Sequence, residues 1–157
     1  MAGDTSRYDE PKIEEAWVME QRARIPEYLE HEELAHGEIG EWPAWHLAPF
    51  ASIWAIERAE NPGWVGFWVI VGDGPTDFVS ADNRRHPRLA MQAFGEQWQS
   101  VADHLDRGET HPEITIGVPS DWPHLVEVLR PRAAILLKTA ADDNYWEEWE
   151  RVWEEDD

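Results

Sequence analysis

Cysteine is absent from this sequence of 157 residues, and lysine occurs only at Lys12 and Lys138. A chain without thiols forms no disulfide, no thiolate metal site and no cysteine nucleophile. Its longest strongly apolar run, Trp64 to Val71, is too short for a membrane-spanning helix. The N-terminal stretch is polar and acidic and lacks the basic and apolar regions of a signal peptide. Together these absences predict a soluble cytoplasmic protein.

Basic residues are scarce, because 13 Lys and Arg stand against 33 Asp and Glu and give a formal net charge of −20. The excess is uneven: residues 1–40 carry a net −7 and the last 18 residues a net −8, whereas residues 82–139 are nearly balanced. Such a surface repels phosphate backbones and anionic lipid, so direct binding of nucleic acid or of a membrane is disfavoured. It attracts a basic protein partner.

Tryptophan, by contrast, is abundant, with 11 residues. Each buried indole covers a large apolar area and usually needs an acceptor for its N–H group. This number exceeds what one small core requires, so we expect some of the indoles to lie at a groove or an interface. The length predicts a single domain over residues 1–157, in which residues 1–8 are expected to be flexible.

The N-terminal region shows apolar residues at helical spacing, which predicts helical structure over residues 9–35. Pro26 has no amide hydrogen and clashes with the preceding turn, so the helix is expected to kink or break near Ile25. Gly37 is expected to close the helix, and residues 36–50 are expected to form an ordered loop.

Two β-prone runs, Ala51–Arg58 and Trp64–Gly72, flank a Pro-Gly turn and predict an antiparallel hairpin. Both runs are apolar at successive positions, so the hairpin needs cover on both faces. A second turn leads to a short third strand at Phe78–Ser80. Alternating apolar residues over 114–118 predict a further edge strand.

The clearest helix is predicted over Pro87–Arg107, because its apolar residues recur at intervals of three and four and Gly108 suits its C-terminal cap. Pro131 is expected to separate a short helix that opens at Trp122 from another at Ala133–Ala140. The predicted fold class is α+β: a small antiparallel β-meander of three to four strands, packed with N-terminal, central and C-terminal helices.

The segment HGEIGEWPAWH, residues 36–46, places two histidines and two carboxylates within a short stretch. These side chains are ligands that zinc and iron accept, and they also act as acids and bases. One interpretation is therefore a ligand-binding or enzymatic site that also uses the turn after the hairpin. The residues that would form this site are His36, Glu41, His46, Asp73 and Asp77.

A structural loop explains the same segment. His31 and His36 are five residues apart and point in different directions on a helix, whereas a metal-binding pair on one helical face is four apart. In this interpretation Trp42 and Trp45 pack over the hairpin, and the His and Glu side chains bond to the turn backbone. The sequence predicts no metal, no cofactor and no catalytic residue.

The turn GDGPTD begins like a dinucleotide-binding loop, but its chemistry opposes phosphate. Pro75 removes an amide that a phosphate would need, and Asp73 and Asp77 repel its charge, so a plain turn is favoured. The only basic cluster is NRRHP, residues 83–87. It either neutralises Asp77 and Asp82 or holds an anion at the start of the long helix.

The C-terminal segment NYWEEWERVWEEDD predicts an acidic helix over residues 145–157 with a narrow apolar stripe. The stripe either docks on the protein's own sheet or lies in a groove of a partner. In the second case Trp anchors supply affinity and the carboxylates steer a basic partner. The predicted partner-binding residues are Trp146, Trp149 and Trp153.

From residue 35 to residue 82 the chain contains AHGEIGEWPAWH and PGWVGFWVIVGDGPTD. This part resembles a family of small bacterial proteins classed as a domain of unknown function, and the similarity runs more weakly from Trp17 to Trp146. The resemblance implies a bacterial source and a single compact domain, but no activity. Pro26 and the acidic extension after Trp146 depart from the family pattern, so the resemblance leaves open whether the Trp stripe belongs to the shared fold.

The leading hypothesis from the sequence is a non-enzymatic, cytoplasmic interaction protein of immunity or inhibitor type that binds a basic protein partner. It rests on the charge, the surplus of tryptophan and the lack of a catalytic motif. One alternative is a small metal- or ligand-binding enzyme that uses the His36/His46 loop and the Asp73/Asp77 turn. Another is a DNA mimic, whose acidic faces imitate phosphates and occupy a nucleic-acid-binding protein.

Overall fold

The structure is a computed structural model that describes residues 5–114 and 116–155. The chain forms two compact units, Met1–Ala90 and Met91–Asp157. The single domain expected from the length stays a prediction. The described elements are 3₁₀ helices at Thr5–Asp9 and Pro119–Asp121, helices α1 Pro11–Ala23, α2 Ile25–His31, α3 Pro87–Asp106, α4 Trp122–Ala141 and α5 Asp143–Glu155, and strands β1 Trp45–Leu47, β2 Ala51–Arg58, β3 Asn61–Gly72 and β4 Asp77–Ser80.

The first unit is built on a four-stranded sheet in the order β1-β2-β3-β4, in which each neighbouring pair is antiparallel. The predicted hairpin and third strand are confirmed, and the fold is α+β. β3 begins at Asn61, three residues before the predicted start. β1 lies in a segment that was predicted to be a loop, and Ile39 adds an isolated bridge to Ile56 beside it.

Apolar residues at successive positions of β2 and β3 are buried on both faces of the sheet. On one face Trp54 and Val69 belong to a cluster with residues of α1 and α2, while Ile53 and Ile70 are buried on the other face. This burial is the cover that the unbroken apolar runs require. The buried residues of the cluster are Trp17, Val18, Ile25, Leu29, Trp54, Ile56, Val69 and Val71.

Ser52 is a buried polar residue in this sheet, and its hydrogen bonds are satisfied. Its hydroxyl donates to the carbonyl of Val71 at 2.9 Å and accepts the indole N–H of Trp54 at 2.9 Å. The Ser52 hydroxyl and the Trp54 indole N–H therefore both have hydrogen-bond partners, so neither group is buried at the cost of an unmade hydrogen bond.

The N-terminal helical region breaks where the sequence predicts. α1 ends at Ala23, and α2 begins at Ile25 with Pro26 in its first turn, where the missing amide hydrogen costs no helical bond. The predicted closure at Gly37 is wrong, because α2 already ends at His31 and Glu33 takes a left-handed conformation with φ 56°.

The second unit contains the remainder of α3, together with α4 and α5. α3 and α4 approach closely at Gly95, where a Cβ atom would lie 2.7 Å from the Leu137 Cγ atom and 3.3 Å from the Ala133 carbonyl oxygen. The predicted helix over Pro87–Arg107 is confirmed to within one residue, and Gly108 takes the left-handed conformation after it, with φ 74°.

Two predictions in the second unit are wrong. Pro131 does not separate two helices, because α4 runs through it as one helix from Trp122 to Ala141. The described residues of the segment 114–118 form no strand. Instead, the imidazole Nδ1 of His111 accepts the amide hydrogens of Glu113 and Ile114, which turns the chain before it can extend. None of the described helices combines the length and hydropathy needed to cross a bilayer.

Candidate functional site

The loop that precedes β1 is fastened to the first unit by its backbone. Gly37 donates its amide hydrogen to the Glu57 carbonyl at 2.8 Å, and Gly40 donates to the Ala55 carbonyl at 3.0 Å. A side chain at Gly37 would bring its Cβ within 2.8 Å of the Arg58 carbonyl oxygen, so glycine permits this close approach. Residues 37–40 of the predicted ordered loop therefore lie along β2.

Arg22 of α1 fixes the same loop from the other side. Its Nε donates to the Gly40 carbonyl at 2.8 Å and its Nη2 donates to the Ile39 carbonyl at 2.9 Å. The guanidinium thus satisfies two consecutive carbonyls with one rigid fork of donors. Nothing in the sequence spacing pairs Arg22 with residues seventeen and eighteen positions later, so sequence reasoning missed this contact.

The two histidines of the loop have separate neighbours. The Nδ1 of His36 is 2.7 Å from the Gly37 carbonyl oxygen, so this nitrogen carries a hydrogen and donates it. The Nε2 of His46 lies 3.2 Å from the Glu14 Oε1 atom of α1. Among the side chains that the structure describes, no three His, Asp or Glu residues form a group that could hold a metal ion.

The remaining residues of the predicted ligand site are Glu41, which is exposed, and the two aspartates of the turn after β3. The carboxylate of Asp77 accepts the amide hydrogen of Phe78, and the amide of Asp73 donates to the Phe50 carbonyl. Burial first, and then the carboxylates of Asp77 and Glu32, raise the pKa of the Tyr28 phenol well above its ordinary value. The role of Glu41, Asp73 and Asp77 as ligand-binding residues stays a prediction.

The tryptophans of the loop differ in exposure. Trp45 is buried in β1 with 2% of its surface exposed, as the structural interpretation predicts. Trp42 is 43% exposed and contacts the His46 ring edge-on at 5.6 Å between centroids, and its expected packing over the hairpin stays a prediction.

The basic cluster at residues 83–87 is bound mostly to the backbone. Arg84 donates to the Ser80 carbonyl, and Arg85 donates to the Val65 carbonyl and lies 5.9 Å from the centre of the exposed Trp64 ring. Asp82 pairs instead with Arg58 of β2, which corrects the prediction that the cluster neutralises it.

A serine and a histidine that sequence reasoning missed meet in the second unit, where the Ser100 Oγ lies 3.2 Å from the His111 Nε2. The His111 Nδ1 accepts two amide hydrogens, so its Nε2 carries the hydrogen and donates to the hydroxyl. A general base would need the opposite arrangement, because it must accept the serine proton. This pair therefore orders the chain after α3.

The acidic C-terminal helix predicted from the sequence is α5. Trp146 is 2% exposed, and its indole N–H donates to the Thr139 carbonyl of α4 at 2.9 Å. Trp149 is half-buried, with its ring centre 5.3 Å from that of Trp146. Trp153 lies within α5, but its side chain is outside the described residues. The partner-binding role of this stripe stays a prediction, and burial commits Trp146 to the core of its own chain.

The family model described as Domain of unknown function (DUF4826) matches residues 11–146, which is most of the chain. The chain therefore belongs to that family. No curated protein and no solved structure matches it significantly. The match ends at the buried Trp146 and includes the loop and the whole sheet.

Proposed function

We propose that this member of the DUF4826 family is a non-enzymatic interaction module of the cytoplasm, of immunity or inhibitor type, that binds a basic protein partner through α5. The observation that carries the proposal is the division of α5 into a packed face and an acidic face. The packed face holds the helix in one position, and the acidic face is left for a partner.

The packed face is organised around Trp146. Its ring is buried and hydrogen-bonded to the carbonyl of Thr139, and it makes an edge contact with Tyr145 at 5.3 Å. The Asp142 carboxylate accepts the amide hydrogen of Tyr145, which caps the start of the helix. A helix held by such contacts loses little conformational entropy on binding, so more of the contact energy appears as affinity.

Outside the packed face, α5 carries exposed carboxylates together with partly exposed aromatic and aliphatic side chains. Glu147 and Glu148 are exposed, Trp149 is half-buried and Val152 is 49% exposed. Over residues 143–155 the sequence has six carboxylates and one arginine, and that arginine pairs with Glu148. A partly exposed aromatic side chain on a helix rich in one charge is the chemistry of a steered protein interface.

A direct test uses peptides, because it requires no known partner. A displayed library of Lys- and Arg-rich amphipathic helices is selected against the full chain, and the Kd of the selected peptides is measured for three variants. Trp149→Ala and Glu147→Lys are expected to weaken binding by about tenfold or more, since one removes the anchor and the other opposes the charge. Glu60→Lys, the same change on an exposed glutamate of the first unit, is the matched control.

Two results contradict the proposal. If Glu60→Lys weakens binding as much as Glu147→Lys, the peptides respond to net charge and not to α5. If selected peptides bind equally well to Trp149→Ala, the anchor lies elsewhere. Thermal unfolding of each variant is measured in parallel, so that a loss of binding is separated from a loss of fold.

A further inference from the structure

Helix α4 has two faces of different exposure. The first consists of Leu129, Ala133, Leu136 and Ala140, which are at most 4% exposed. The second recurs at the same helical spacing on the opposite side, and all its members are exposed. This second face, which we name the α4 stripe, consists of Glu127, Arg130, Pro131, Ala134, Ile135 and Lys138.

The α4 stripe has an apolar centre and a charge of opposite sign near each end. The centre consists of Pro131, Ala134 and Ile135, which are all exposed. The exposed fraction of Ile135, the largest apolar side chain among them, is 46%. Glu127 stands on the N-terminal side and Lys138 on the C-terminal side, about 16 Å apart along the helix axis at 1.5 Å per residue. A surface with this order is complementary to itself when a second copy is turned end to end.

A groove lies beside the α4 stripe, with a volume of about 510 Å³. Arg130 forms part of its wall and is held in place, because it donates to Asp103 and Asp106 of α3 at 2.9 Å each. The small side chains of Pro131 and Ala134 leave the space open. The full lining is Gln99, Arg130, Pro131, Ala134 and Leu137.

Charge decides which occupant fits. The chain carries a net −20, so two copies repel one another over most of their surfaces. α4 is the exception among the described helices, since its three bases outnumber its one acid, Glu127. Asp103 and Asp106 beside the stripe are paired with Arg130, so a second copy meets comparatively little repulsion where the exposed apolar centre also lies.

We propose that the α4 stripe is the interface of a symmetric homodimer in which the two α4 helices run antiparallel. With the two-fold axis beside residues 132 and 133, Glu127 faces Lys138 of the second copy and Pro131 faces its Ala134. The same register sets Ile135 of the second copy against Arg130, at the wall of the groove. Every contact occurs twice, as in an isologous interface, and the interface is separate from the partner surface proposed on α5.

Sedimentation equilibrium of the full chain over a dilution series tests this interface. The most specific version of the test exchanges the charges of Glu127 and Lys138. Glu127→Lys sets two lysines against each other and Lys138→Glu sets two glutamates against each other, so each single variant weakens the dimer. The double variant restores opposite charges and recovers most of the wild-type affinity. Ile135→Asp raises the dimer Kd by about tenfold or more, because a buried apolar contact is lost in each copy.

Leu47→Asp is the matched control, since Leu47 is 51% exposed on β1 in the first unit and lies outside the stripe. It is expected to leave the dimer Kd unchanged. The proposal is overturned if the wild-type chain stays monomeric up to its solubility limit, if the double charge exchange fails to restore association, or if Leu47→Asp weakens the dimer as much as Ile135→Asp.

The natural absence of cysteine allows a second measurement. Ala134→Cys places one thiol per copy close to the proposed axis, so a short bismaleimide is expected to join two copies. Leu47→Cys, at another exposed position, is expected to give no such product. Equal yields from the two variants contradict the antiparallel register even where sedimentation detects a dimer.

Discussion

The loop at residues 36–46 and helix α5 are both rich in tryptophan and carboxylate side chains, but they use the polar groups differently. The loop has two tryptophans and two carboxylates, and α5 has three tryptophans and six carboxylates. Each buries one indole to 2% exposure, Trp45 in the loop region and Trp146 in the helix. Each leaves a second indole more exposed, Trp42 in one case and Trp149 in the other. The difference lies in what the polar groups do.

In the loop, polar groups are used to hold the chain in place. Arg22 satisfies two loop carbonyls, His36 donates to the neighbouring carbonyl, and His46 contacts Glu14. In α5 the backbone is satisfied by the helix itself, so the outer carboxylates are not needed for that purpose. Similar composition therefore supports a structural role in an irregular segment and an interaction surface on a helix.

The largest effect is expected from the buried indoles, and it should be alike in the two regions. Trp45→Ala and Trp146→Ala each remove a side chain that is 2% exposed and leave a cavity, so each lowers the free energy of unfolding by about 3–5 kcal/mol. Denaturant unfolding measures both. Trp64→Ala is the control, because that indole is 57% exposed and its loss should cost about 1 kcal/mol or less.

A much smaller loss of unfolding free energy for Trp146→Ala than for Trp45→Ala would contradict the equal burial of the two indoles. It would mean that α5 is not packed on α4, and the rigid helix on which the proposed function depends would be lost. Equal losses would show that the two regions differ in their polar groups and not in the packing of their buried indoles.

An intermediate effect is expected at Arg22, whose guanidinium donates to two carbonyl oxygens of the loop. Arg22→Ala leaves the Ile39 and Gly40 carbonyls without their donor and lowers the free energy of unfolding by about 1–3 kcal/mol. Arg24→Ala is the matched control, because one of its two contacts is an exposed bond of 3.3 Å to the Gly72 carbonyl. Equal costs for the two arginines would contradict the role given to Arg22.

The sheet was predictable because its signals are local. The runs in β2 and β3 are apolar at most successive positions, and the Pro-Gly turn between them leaves few alternatives to a hairpin. α3 was predictable for the same reason, since its spacing and Gly108 agree. The burial of Trp45 also followed from the structural interpretation of the loop.

The errors arose where the apolar pattern and the proline rule did not decide the local structure. Pro131 is tolerated inside α4 because it lies on the exposed side, so the buried series through Leu129 and Ala133 continues past it. The strand expected over 114–118 is replaced by a turn because His111 captures two amide hydrogens. The contact of Arg22 with the loop joins distant positions, for which one sequence holds no signal.

The smallest effect is expected at His46. Its contact with Glu14 is partly exposed, with side-chain exposures of 20% and 39%, so His46→Ala and Glu14→Gln each change the free energy of unfolding by about 1 kcal/mol or less. A double-mutant cycle measures their coupling, and a value of about 0.2–1 kcal/mol is expected. Loss of a stoichiometric metal from His46→Ala, detected by elemental analysis, would instead support the ligand-binding interpretation of the loop.

The most direct test of the acidic-helix account is the association rate of a selected basic peptide, measured by stopped flow as ionic strength rises. The on-rate is expected to fall steeply with salt for the wild-type chain and for Glu60→Lys, because charge on α5 steers the encounter. For Glu147→Lys the on-rate is expected to be lower and to depend less on salt. An on-rate that ignores salt, or the same salt dependence in all three proteins, would contradict it.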